Sequence, residues 1–453
     1  MTWLWGLGLL AASGAGAPAH ANPASLVASA ADPDDPTDLH LWLDYEYSVA
    51  TASIWRERAG GTTDPLAPIP KVRDLAFKQY RHQLTPRADF GIYHNTSIYT
   101  ALPIVIGQAR ELVLGEGVTR DGSSTIADGL VPRDGFDARD PGTPLAGGGV
   151  FRGVSRSGVD QLHVGMAVAL MNQDNDDTKP TWKLGGELRI PVGRVARFDA
   201  DHPSAETGVG RGVYEVRAWM SVARRYKHTE SWLELYWQTP IAAKDTSLLR
   251  LPEAARFGAT NIDAGQRGGV AFGLEAYAFD DPVAQNRISV ELGARTEAHF
   301  EGRDYSELWE VFALAGDANG AASGPLVLDG DPTASGIQAR SHPGVSNIEN
   351  YLELASRAAI RAQLGKYVRF AATLDLIWKT DHVISFADAG VDLPTCGGSG
   401  VSGACENETN AVVNPGTREV NPLHVPRIDL VGHRYHSEDN FGLVFGLQGQ
   451  VLF

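Results

Sequence analysis

An all-β fold, a transmembrane antiparallel up-and-down β-barrel of about 12 strands with short periplasmic turns and long extracellular loops, is the class this sequence predicts. Three observations predict it. In residues 441–453, Phe441, Leu443, Phe445, Leu447, Val451 and Phe453 fall on alternate positions, which gives a strand one greasy face and one mixed face. Residues 1–21 read as an export signal, with an apolar stretch from Trp3 to Ala12, then small residues and Pro18, then Ala19-His20-Ala21 in the small-x-small pattern of a cleavage site. Between these ends, segments of period two recur, and the links joining them alternate between short and long.

Cleavage is expected between Ala21 and Asn22, which leaves 22–38 as a periplasmic segment and 39–453 as a single barrel domain. A chain of 453 residues would otherwise suit two or three soluble domains. Its 50 Gly, 10 Trp and 13 Tyr against only 4 Met favour a glycine- and aromatic-rich sheet. Beyond the signal no run is apolar enough for a spanning helix, as expected where each strand crosses with about 10 residues and buries only every second one in lipid. The net charge of −16 argues against nucleic acid as a partner, because phosphate recognition needs clustered Lys and Arg. Cys396 and Cys405 stand in a Gly- and Ser-rich stretch, and in an oxidising compartment they are expected to close a small disulfide loop. No cofactor and no metal site is expected.

Strands are expected near 39–55, 71–84, 88–103, 159–172, 181–192, 211–226, 231–241, 268–279, 287–302, 349–364, 367–381 and 438–453. Short links follow the even-numbered strands, at 85–87, 174–180, 227–230, 280–286 and 365–366. Long links rich in Gly, Asp, Pro and Ser follow the odd ones, the largest at 104–158, 303–348 and 382–437, and these belong outside the membrane. Within them, 106–113 and 305–313 carry apolar residues at helical spacing and are expected to form short helices.

Strand parity sorts side chains into a lipid set and a lumen set, since a closed barrel offers no third place. The lipid set includes Leu41, Leu43, Val164, Met166, Leu170, Leu184, Leu188, Ile288, Val290, Leu292, Phe370 and Leu374, with Tyr45, Trp182 and Trp378 as candidates for the interfacial girdles. The opposite face collects charges of both signs as candidate pore-lining residues: Asp44 and Glu46; Lys183, Glu187 and Arg189; Glu215, Arg217 and Glu234; Glu275, Glu291, Arg295 and Glu297; Glu353, Arg357 and Arg361; Arg369 and Asp375. Such groups must either pair as carboxylate–guanidinium networks that stiffen the lumen or remain hydrated along a channel.

A barrel phospholipase would need a Ser activated by a neighbouring His. His94 with Ser97, His228 with Ser231, and His433 and His436 with Ser437 are only scattered candidates, and none reproduces a His-x-Ser-Asn-Gly pattern. Residues 174–177, Asp-Asn-Asp-Asp, lack the Gly and terminal Glu of a calcium loop and read as a solvated turn.

The hairpin 158–193, in which Asp160 opens the descending strand and Pro191-Val192-Gly193 ends the ascending one, resembles a hairpin of the outer-membrane transporters associated with phenol (meta-pathway) degradation. Residues 80–93, followed by Ala101-Leu102-Pro103, are similar to the preceding hairpin of that family. The resemblance implies a transporter barrel. The expected function is an outer-membrane channel or transporter for passive uptake of small solutes, apolar or aromatic ones among them. The alternatives are a structural or surface-binding barrel with a sealed lumen and, third, a phospholipase. Expected partners are outer-membrane lipid and lipopolysaccharide, a small solute, and the barrel-assembly machinery through the strand ending at Phe453.

Overall fold

Period-two patterning becomes strand pairing throughout the computed structural model, which describes residues 24–30, 38–58, 68–249, 264–319, 324–329, 339–386 and 425–453. The wall is built from β1 (Leu39–Glu57), β2 (Lys71–Tyr93), β3 (Thr96–Ala101, continuing as Ile104–Leu114), β4 (Gln161–Met171), β5 (Thr181–Pro191) and β6 (Val213–Tyr226). It continues through β7 (Thr229–Ala243), β8 (Arg267–Asp281), β9 (Asn286–His299), β10 (Tyr351–Leu364), β11 (Val368–Lys379) and β12 (Tyr435–Leu452). Each strand pairs antiparallel with the next, and β12 returns to β1 with Leu41 opposite Val451 and Tyr45 opposite Leu447. The 12-strand wall is therefore closed, as expected.

Parity sets the two faces. Leu43 (50% exposed), Met166 (54%) and Leu292 (64%) stand on the outer wall, while their sequence neighbours point inward and are largely covered. Tight periplasmic turns form where one residue tolerates a left-handed backbone: Asn95 at φ 53°, Lys227 at 46°, Gln285 at 54° and Gly365 at 61°.

The first of those turns corrects the sequence reading, which put it at 85–87. The chain instead runs straight through Pro86 and reverses at His94 and Asn95. Pro86 is tolerated because it faces the interruption at Leu102 and Pro103 in β3, so the prolines, neither of which has an N–H to donate, share one gap in the ladder. Across that gap the Leu102 N–H still donates to the Pro86 carbonyl at 3.0 Å. Residues 104–114, expected as loop with a helix at 106–113, are likewise strand. There Val105 pairs with Gln83 and Gly107 with His82, leaving Ile106 as an extra residue, and this bulge shifts the inward parity. The shift imitates a helical spacing. The second expected helix exists but lies a few residues later, at Trp309–Ala315.

Above the membrane the strand ends carry a cap. Its short helices are α1 (Ser124–Ala127), α2 (Trp309–Ala315) and α3 (Pro426–Asp429). The apolar core of the molecule sits here, where inward-facing Ile54, Leu75, Phe77 and Leu112 pack with Leu130, Phe151, Val311, Phe312, Ile384, Phe386 and Ile428 from the outer segments. Asp74 anchors α1 by accepting the N–H groups of Ser124 (3.0 Å) and Thr125 (2.9 Å).

Inside the wall, aromatic rings lie flat over glycines of the adjacent strand. A Cβ added to Gly185 would stand 2.2 Å from the Trp219 ring, and one on Gly165 would stand 2.2 Å from Tyr99. Gly185→Ala is expected to destabilise the barrel by ~1–3 kcal/mol in urea unfolding, because the Trp219 ring has to move. Gly186→Ala, where an added Cβ meets nothing within 4 Å, serves as the silent control.

Candidate functional site

Every charged residue singled out on the sequence lies on the inward parity of its strand. Most meet opposite charge or a hydrogen-bonding group across the wall. Arg357 donates twice to Asp375, at 2.6 and 2.7 Å, in a fork matched to the two oxygens. Arg361 reaches Glu291 at 2.6 Å, Arg217 reaches Glu234 at 2.8 Å, Arg189 reaches Glu187 at 2.7 Å, and Arg295 bonds Glu353. Glu215 accepts from Gln161 (3.0 Å) and Arg211 (3.2 Å), while Glu297 accepts from Tyr236 and pairs with His299. Asp44 accepts from Gln448 at 2.5 Å, Glu275 from Ser289, and Arg369 donates to Gln363 at 3.1 Å. Lys183 donates to the Leu26 carbonyl at 2.9 Å, and Glu46 lies between Gln83 and Gly446 in register. Of the two physical options for a charged lumen, most of these groups take the first, pairing with one another inside the wall.

Other inward groups escaped the sequence reading. Arg87 and Asp89 pair at 2.6 Å, and Arg225, Asp280 and Arg287 form a chain with contacts of 2.5 and 3.0 Å. The misplaced hairpin hid Arg81, Arg87 and Asp89, and the bulge hid Arg110. Aromatics were missed as well: Trp42, Tyr99, Trp219, Trp232 and Tyr236 all share the inward parity. For all but Trp42, the signal in the sequence was a glycine facing the ring on a neighbouring strand: Gly165, Gly185, Gly273 and Gly269.

Among the described residues, two of the spaces left inside the wall bear on function. A cavity of about 500 Å³ at the periplasmic end is lined by Ser25, Leu26 and Val27 of the N-terminal segment and by His40, Glu230, Arg287, Arg361 and Arg369. The segment is held there as Asn95 donates to Ser29 Oγ (2.9 Å) and Ser29 donates to Asp38 (2.8 Å). A second cavity, about 120 Å³, lies directly beneath α2 and includes Arg81, Arg110, Arg156 and Trp309 in its lining. Between it and the outside stands the apolar core of the cap. Arg156 locks that cap to the wall, reaching Glu310 of α2 at 2.7 Å and the carbonyls of Glu206 (2.9 Å) and Gly208 (3.0 Å).

The cap has one acid-sensitive element. His342 is buried against Phe386, with ring centres 4.3 Å apart, and its Nδ1 accepts the Gly344 N–H at 2.9 Å. Burial, and secondarily the Arg303 cation, pull its pKa from 6.5 down to about 3. An opened cap lets the ring take a proton at its ordinary value, so this contribution is complete above pH 6.5 and is lost progressively as the pH falls toward 3. Protease cleavage of the cap is therefore expected to accelerate on acidification, and His342→Gln is expected to flatten that dependence.

The Ser and His neighbours form no charge relay. Ser437 Oγ donates to Asn440 at 3.0 Å while His436 pairs with Glu57 at 2.9 Å, and His94 and His228 sit in turns. In 174–177, Asp176 takes the Thr178 N–H at 3.1 Å and Lys179 at 2.8 Å, as a closed polar turn does. Among the described residues no group of three or more His, Cys, Asp or Glu is placed to hold a metal. Cys396, Cys405 and the expected signal at 1–21 lie outside the described residues.

A closed β-wall with an apolar outer belt is the architecture of bacterial outer-membrane barrels, and that is the setting of this chain. No protein-family model matches the sequence, and no curated protein matches it. Solved structures to which it is similar include an outer-membrane channel from Pseudomonas putida F1, at 10% identity and TM-score 0.37, covering 93% of this chain and 99% of that one. A FadL homologue from Pseudomonas aeruginosa is similar at 9% identity and TM-score 0.32, with 92% and 90% covered. The outer-membrane protease OmpT of Escherichia coli is similar at 5% identity and TM-score 0.26, with 91% and 97% covered. The barrel assignment rests on strand register and not on these superpositions.

Proposed function

We propose that this barrel is an outer-membrane channel for passive uptake of small solutes, apolar or aromatic ones among them, and that the charged residues named from the sequence line its path. The observation that carries the reading is the cavity of about 500 Å³ held inside the closed wall at the periplasmic end. Mixed charges keep that space wetted, and the inward Trp and Tyr rings offer π-faces to a passing ring. Lipid and lipopolysaccharide surround the outer wall. The barrel-assembly machinery engages β12, whose alternation of Phe and Leu is the most regular in the chain. No catalytic residue is assigned.

A second reading, a sealed barrel, is favoured by one observation: Phe77, Leu112, Val311 and Phe312 fill the outer mouth with apolar side chains. Planar-bilayer current together with liposome swelling separates the two. The channel reading expects low current from the resting protein and a several-fold rise in Phe312→Asp, since a fully buried carboxylate at that position costs several kcal/mol and drives α2 out of the mouth. Absence of both current and solute flux in either form leaves the sealed barrel.

A further inference from the structure

We propose that the cavity beneath α2 is a binding site for the carboxylate of a small organic acid, held between Arg81 and Arg110. This deepens the channel reading by naming a solute class and rests on it for its physiological use. The argument starts with charge. Arg81 stands opposite Gln108 and Arg110 opposite Gln79, so the guanidinium groups are diagonal neighbours on the same inward face. Like charges so placed are destabilising unless something answers them.

Other cations of this cavity are answered. Arg156 is held by Glu310 at 2.7 Å, Arg211 by Asp304 (3.1 Å) and Glu215 (3.2 Å), and Lys379 lies 3.9 Å from Glu353. Arg81 and Arg110 have no such partner. Among the described residues neither has a carboxylate within 4.0 Å, although Asp160 and Glu307 line the same space. Arg81 contacts the amide oxygens of Gln83 (2.7 Å) and Gln108 (3.4 Å). Arg110 donates to the Ser306 carbonyl at 3.2 Å, and its buried Nε has no hydrogen-bond partner.

A buried guanidinium N–H without an acceptor is costly, and a carboxylate seated between the two arginines removes that cost and their mutual repulsion together. Shape supports an organic acid over a bare anion. Trp309 faces Arg110, with the guanidinium 5.8 Å from its ring centre, and gives the cavity an aromatic wall. At about 120 Å³ the space approaches the ~150 Å³ of an apolar cavity that admits benzene.

The test is isothermal titration of the full-length protein in detergent with benzoate, its neutral isostere benzyl alcohol, and inorganic phosphate as competitor. Saturable benzoate binding, at least about tenfold tighter than that of benzyl alcohol, is expected from the loss of one charge-assisted contact. Phosphate at equal concentration should leave benzoate in place. R81Q/R110Q should bring benzoate down to the benzyl alcohol level, while Arg133→Gln, at an exposed arginine of the outer segments, leaves it unchanged. Equal binding of benzoate and benzyl alcohol in the unaltered protein overturns the site, and that comparison needs no variant to fold. Displacement by phosphate, or a folded double variant that keeps its benzoate affinity, overturns it too. Liposome swelling is scored separately: benzoate binding without solute flux removes the channel and leaves the site, whereas flux without benzoate preference does the reverse.

Discussion

Asp375→Ala is expected to lower the stability of the folded barrel by ~3–5 kcal/mol, because it strands the Arg357 guanidinium inside the wall without its forked partner. The two side chains face each other in register on β10 and β11, and Asp375 is only 7% exposed. Removing the carboxylate takes away two charge-assisted hydrogen bonds at once and leaves water as the only replacement. Replacing both members, Arg357→Met with Asp375→Leu, should recover most of the loss, since no buried charge is then left unanswered. Urea unfolding in lipid vesicles, followed by tryptophan fluorescence, measures both. A single variant as stable as the starting protein would mean that the lumen is wet enough at this level to solvate Arg357.

Leu292→Arg tests the opposite face of the same wall. Leu292 is 64% exposed on β9 and pairs with Leu274 on one side and Ala358 on the other, in the middle of the oily belt. A guanidinium there has lipid tails for solvent, and the expected loss is ~2–4 kcal/mol, falling toward zero for the same change near either interface. Thr296→Arg, nearer the outer end of β9, is the shallow comparison. Equal effects at both depths would place the belt elsewhere on the wall.

How far the sequence could be read depended on the local period. In β5 the lipid set Leu184, Leu188, Ile190 and the lumen set Lys183, Glu187, Arg189 alternate without a break, and both faces were legible residue by residue. In β2 and β3 the paired prolines and the bulge at Ile106 disturb that period, so a turn was read at 85–87 and a helix at 106–113. Four key lumen residues, Arg81, Arg87, Asp89 and Arg110, were lost with them. Which partner each charge takes depends on cross-strand register, and the packing of Phe312 against Phe386 joins segments far apart in sequence. Neither is written in any local window.

The seam between the first and last strands has a further consequence. From His40 opposite Leu452 to Arg56 opposite Tyr435, the two strands pair along their facing edges, with one irregularity between Thr51 and Ser53. At this seam the wall therefore presents no vacant ladder onto which a foreign peptide could be added by β-augmentation, and recognition there must go through side chains. Templating along this seam is open to another sheet only during biogenesis, before the seam zips shut.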